Sequence, residues 1–156
     1  MATALNLTAP LKQDTETQQR LQQLAAIFAD QIQPTIDAVL AKSDIVHFAR
    51  ILVIDNKYIQ VLTEFDGNPE DYANFFRKEL PEVFQEIFSL VENAPPWDEL
   101  KDNPDKFTEF SRKLDLRSLG TSPAGEEDRG YLFSAFGDAT VRELKKLHNS
   151  QSAASS

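Results

Sequence analysis

With 156 residues, 41% hydrophobic and 26% charged, the chain has the size and composition of one folded domain able to bury a core. Its net charge of -9, with no run of Lys and Arg, argues against nucleic acid and against an anionic membrane surface as partners. The absence of cysteine excludes disulfides and thiolate metal sites, and neither a leader-like segment nor a membrane-length apolar run is present, so the expected location is the cytoplasm.

Leu5, Leu7, Ala9 and Leu11 alternate with Asn6, Thr8 and Pro10, which predicts a half-buried strand that ends, or lies at an edge, near Pro10. From Thr15 the period changes to that of a helix, with Leu21, Leu24, Phe28 and Ile32 on one face. Pro34 is expected to break or kink it before a second short helical stretch carrying Ile36, Val39 and Leu40. Ile45 to Ile54 and Tyr58 to Phe65 are rich in β-branched and aromatic residues, and Asp55-Asn56-Lys57 between them tolerates left-handed turn geometry, so a β-hairpin is predicted.

Asn68 followed by Pro69, Glu70 and Asp71 is a helix start, with Asn68 as the N-cap and two carboxylates opposing the positive end of the dipole. These capping roles account for the residues better than a calcium loop, whose ligand spacing is absent. Tyr72, Phe75, Phe76 and Leu80 form the buried face, Pro81 interrupts it, and Val83, Phe84, Ile87, Leu90 and Val91 continue on a second segment. Asn103-Pro104 starts another short helix bearing Phe107, Phe110 and Leu114. Residues 121–128 read as a mobile loop with a solvated charge run at Glu126-Glu127-Asp128. Tyr131 to Phe136 reads as a last strand, and Asp138 as the cap of a final helix with Val141, Leu144 and Leu147.

This order predicts an α+β fold of the ferredoxin-like split βαβ type: a four-stranded antiparallel sheet, a helical insertion at 97–129 before the last strand, and an extra C-terminal helix. Residues 1–148 form one domain and 149–156 a disordered tail. With helices on one sheet face, the other face needs cover, and a homodimer joined sheet to sheet provides it.

Ile45-Val46-His47-Phe48-Ala49-Arg50, followed by Leu62-Thr63-Glu64-Phe65-Asp66-Gly67 and a helix containing Tyr72, resembles a family of uncharacterised dimeric α+β barrel proteins. More distantly it resembles one ferredoxin-like half of the dye-decolourising peroxidases, and Phe133 to Phe136 running into Thr140 to Leu144 has the same look. The resemblance covers about residues 5–92 and 130–147 and implies a dimer with a barrel pocket. Peroxidase activity is not implied, since a haem enzyme needs an axial histidine with distal acid and arginine groups. His47, among apolar neighbours, and His148, near the end of the chain, are the only histidines.

Which ionisable residues meet in the hairpin depends on its register. A two-residue turn at Asp55-Asn56 sets His47 opposite Glu64, with Gln60 on the same face; a three-residue turn instead puts Arg50 on the face of Gln60 and Glu64. The first is favoured because it gathers Val46, Phe48, Leu52, Ile54, Ile59, Val61 and Phe65 on one apolar face. His47, Glu64 and Arg50 are therefore the candidate catalytic residues: a general base held by a carboxylate, or an anion clamp. Each also has a purely structural reading, as a satisfied histidine or a structural ion pair. Trp97, in a loop after Pro95-Pro96, suits a pocket mouth, a dimer interface or a satellite core under the insertion. No pattern identifies a cofactor or metal. Two functions fit: a small-molecule-binding dimeric barrel, with oxidoreductase-like activity as its enzymatic form and residues 97–129 as a lid, or a non-catalytic protein using the sheet face to hold a partner.

Overall fold

The computed structural model describes residues 2–121 and 129–154, so most of the expected loop at 121–128, with its charge run, lies outside the described residues. Strand β1 (Thr3–Pro10) leads into α1 (Thr15–Ile27), whose N-cap Asp14 accepts from the Thr17 amide. A π-helical turn at Phe28–Ile32 joins α1 to α2 (Gln33–Lys42). Pro34 accounts for the turn: it lacks an N–H and its ring crowds the carbonyl four residues back, so the helix widens and Gln33 donates to the Phe28 carbonyl, five residues back.

The hairpin follows as β2 (Val46–Ile54) and β3 (Tyr58–Phe65), and then come α3 (Pro69–Glu79) and α4 (Pro81–Ser89). Asn68 caps α3 as expected, its Oδ1 accepting from the Asp71 amide at 2.8 Å. The short α5 (Trp97–Leu100), α6 (Pro104–Leu114) and the terminal α7 (Val141–Ala154) complete the described elements. Helix α7 runs through residues 149–154, so this part of the expected disordered tail is helical. Its cap is not Asp138. Thr140 and Glu143 form a reciprocal capping box, each side chain accepting from the other's amide, at 3.2 and 2.9 Å.

The sheet is antiparallel and has three strands among the described residues, in the order β1-β3-β2. The four-stranded sheet expected from the sequence is not formed. Tyr131 to Phe136 pairs with no strand, although its composition suits one. The outer edge of β1, where that strand would pair, is already occupied. Near its end, Glu92 N–H donates to Pro10 O (2.8 Å) and Lys12 N–H to Leu90 O (2.9 Å). In the middle, Leu116 N–H donates to Asn6 O (2.9 Å), while Asn6 N–H donates to the Asp115 carboxylate (2.7 Å). Tyr131 instead donates its N–H to Leu119 O, and Phe133 is left 84% exposed.

One sheet face carries the core. Leu5, Leu7 and Ala9 of β1 and Ile59, Val61, Thr63 and Phe65 of β3 are buried against α3 and α4, which contribute Tyr72, Phe76, Phe84, Ile87 and Phe88. The Tyr72 ring stacks on Phe65 with centroids 3.8 Å apart, and its hydroxyl hydrogen-bonds the Thr63 hydroxyl, which also bonds the Phe48 carbonyl. Burial pushes the Tyr72 phenol far above its ordinary value. Trp97 packs against Phe88 and Phe107 at the margin of this same core, so it forms no satellite core. The α1–α2 arm is docked more lightly: Thr17 and Leu21 are the buried residues of α1, and α2 has none.

Candidate functional site

The hairpin register decides what the candidate residues can do, and it differs from the favoured one. Asp55 and Asn56 take the expected left-handed conformation (φ 51° and 56°), and Lys57 N–H closes the turn on Ile54 O at 2.9 Å. Lys57 then directs its carbonyl to the Leu11 amide (2.8 Å) and stays out of the β2–β3 ladder, which begins at Ile54 opposite Tyr58. The turn thus has three residues. Ala49, Ile51 and Val53 follow the core-face residues of β3, while Phe48, Arg50, Leu52 and Ile54 lie on the opposite face with Tyr58, Gln60, Leu62 and Glu64.

His47 is the extra residue of a β-bulge between Val46, opposite Phe65, and Phe48, opposite Glu64. The bulge lets Val46 reach the core while Phe48 turns outward, 70% exposed. It also aims His47 away from the expected partner: its Nε2 lies 2.8 Å from Asp66 Oδ1, where an ionised carboxylate makes the ring nitrogen the donor. Both side chains are largely buried, at 12% and 15% exposure. The second Asp66 oxygen accepts from Val141 N–H at 2.8 Å, so one carboxylate holds both the bulge histidine and the start of α7. Lys145 of α7 donates to the Ala41 and Ser43 carbonyls, at 3.1 and 2.5 Å. Asp66 reads in the sequence only as a turn residue; its position before a positive-φ glycine carries no signal for a helix 75 residues later.

Arg50 and Glu64 share the open sheet face, two rungs apart along the ladder, and neither side chain makes a hydrogen bond or ion pair among the described residues. Burial raises the Glu64 carboxyl above its ordinary value, offset in part by the Arg50 and His47 charges. Gln60 is committed to Thr8, donating to its hydroxyl at 3.0 Å. The structure therefore brings Arg50, Gln60 and Glu64 to one face and ties His47 to Asp66.

A large cavity lies elsewhere, on the core side of the sheet. It is a groove of about 1290 Å³ between the α1–α2 arm and the α3–α4 pair. Its floor is Ile51, Val53 and Ile59; Leu21, Leu24, Phe28 and Ile32 form one wall, and Leu80, Val83 and Ile87 the other. The π-helical turn stands in the first wall, a feature frequent at functional sites. Arg20 of α1 reaches Glu86 of α4 across one side, with contacts of 2.6, 2.8 and 3.1 Å. His47, Arg50 and Glu64 are not in the lining, and neither is any described residue of 97–129, so the described part of that segment forms no lid over it. Helix α6 instead packs on α3 and beside β1. The sequence reading assigned Leu24, Phe28 and Ile32 to a core face; Pro34 was the one local sign that this helix departs from a simple packed rod.

A smaller polar cleft of about 430 Å³ beside α3 and α6 is crossed by the Arg112–Glu70 ion pair (2.7 Å). Among the described residues no group of three or more His, Asp and Glu is placed to hold a metal ion, and no helix is long and apolar enough to cross a membrane. No protein-family model, curated protein or solved structure matches this chain, which leaves its own geometry as the basis for a functional reading.

Proposed function

We propose that this protein binds a small molecule in the groove between its sheet and its helices, and works as a homodimer joined through the open sheet face. The groove itself carries the binding reading: an elongated space walled mostly by apolar side chains with a polar rim, larger than an ordinary ligand pocket of roughly 300–1,000 Å³. Ile27 and Val53 along it are 39% and 40% exposed, and a bound apolar molecule would gain roughly 25 cal/mol for each Å² it covers. The lining has no histidine, serine or tyrosine, so it supports retention of a ligand over chemistry on it. Nile red, an uncharged fluorophore, tests this. Saturable binding is expected, weakened at least tenfold by Leu24→Trp, which fills the groove from a half-buried position. Binding unchanged in a normally folded Leu24→Trp variant overturns the reading.

The dimer rests on the other face. None of its residues in β2 and β3 is buried, and its only charges are Arg50 and Glu64, so it is electrically neutral on a chain of charge -9. Two copies meeting there avoid the repulsion that opposes association elsewhere, and a two-fold axis can set Arg50 of each against Glu64 of the other. Sedimentation velocity should show a dimer at micromolar concentration. Arg50→Glu and Glu64→Arg should each give monomers, while the double variant, or an equimolar mixture of the two single variants, associates again. A monomeric wild type rules the dimer out and leaves groove binding standing.

A further inference from the structure

We infer that the ligand of this groove is an elongated, uncharged molecule, largely hydrocarbon, with a hydroxyl, carbonyl or amide as its polar end; this rests on the groove-binding reading above. Length comes from the wall. Lining residues run along the arm from Arg20 to Thr35, fifteen residue steps, or about 22 Å at the α-helical rise of 1.5 Å per residue. The floor beneath the middle of that wall offers aliphatic contacts, through Ile51, Val53 and Ile59.

The absence of charge follows from what lines the groove and what is already paired. Arg20 and Glu86 neutralise one another in their bidentate pair. Lys78, Glu79 and Glu82 remain, one positive against two negative charges, and all three are exposed. An anionic headgroup therefore meets a slightly acidic rim with one lysine between carboxylates, on a chain already at -9. A cationic headgroup finds only solvent-screened carboxylates, which attract weakly. Neutral partners are better supplied. Gln23, Gln31 and Gln85 line the same walls, and their side-chain amides make no hydrogen bond among the described residues. Each offers both donor and acceptor to an uncharged polar group.

The test displaces Nile red from the full chain with three probes of one chain length, each below its micellar concentration: hexadecanol, hexadecanoate and hexadecyltrimethylammonium. Hexadecanol should displace with a half-maximal concentration at least tenfold below the other two. Glu79→Lys/Glu82→Lys, which makes the rim positive, should close the gap for hexadecanoate without altering Nile red binding. Equal or better displacement by either charged probe from wild type overturns the uncharged assignment, and displacement by none of them overturns the elongated one. Loss of Nile red binding in step with self-association would place a second copy in the groove and overturn the inference. No Nile red binding at any protein concentration removes the underlying reading itself.

Discussion

Asp66 shows how a single side chain can link distant parts of the chain: its two oxygens hold His47 in the bulge of β2 and the first amide of α7, at 2.8 Å each. Other residues act more locally. Asn68→Ala removes the side chain that caps α3 and should lower stability by about 1 kcal/mol, read as a lower urea midpoint at constant slope. Asp14 caps α1, and its bonds from the Thr17 hydroxyl and amide hold its carboxyl below the ordinary value. A carboxyl depressed by folding contributes stability that is present above its unfolded value and lost as pH falls through the folded one. Asp14→Asn keeps a capping oxygen without the charge, so its stability should fall less steeply than that of wild type on acidification; parallel curves would count against the linkage. Ser111 on α6 is buried and its hydroxyl has no hydrogen-bond partner among the described residues. Ser111→Ala should be neutral or stabilising by up to about 1 kcal/mol, because an unpaired buried hydroxyl is costly to desolvate. A clear loss of stability by thermal melting would reveal a hydrogen bond not evident in the structure.

At the level of elements, small irregularities set the outcome. One residue added to the hairpin turn and one bulge at His47 decide which side chains of β2 face the core, and Pro34 converts a helical run into two helices with a π turn between them. Helix α7 depends on polar anchors, since Val141 is its buried residue. Asp66→Ala should therefore release its start: hydrogen exchange of the first-turn amides of α7 should accelerate about tenfold or more, because a bond to a charged acceptor is worth about 1.5–3 kcal/mol. Unchanged exchange there would show that the capping box of Thr140 and Glu143 suffices. Much at this scale was legible in the sequence. The cap at Asn68, the break at Pro81 and both hairpin strands are local matters of backbone chemistry and side-chain alternation. The capping box is equally local: Thr140-Val141-Arg142-Glu143 carries its pattern, two residues beyond the Asp138 that also suits a cap.

For the whole molecule, the proposed dimer makes stability depend on concentration. The thermal midpoint of wild type should rise with protein concentration, as expected when association favours the native state, while that of Phe48→Asp should not. A concentration-independent midpoint in wild type would agree with a monomer. The sequence by itself determined an acidic α+β domain, its first three strands and most helix starts, because these follow from composition, periodicity and caps within a few residues. Tertiary structure alone decided the rest. Tyr131 to Phe136 has strand-forming residues but finds the β1 edge taken by residues 90–92 and 115–116, and a strand needs a free edge as well as a suitable composition. His47 and Glu64 were separated by two single-residue irregularities that reverse face parity, which no count of apolar positions reveals. The groove is a gap left where a lightly docked arm meets a helix pair, and its residues look like ordinary core until the packing around them is known.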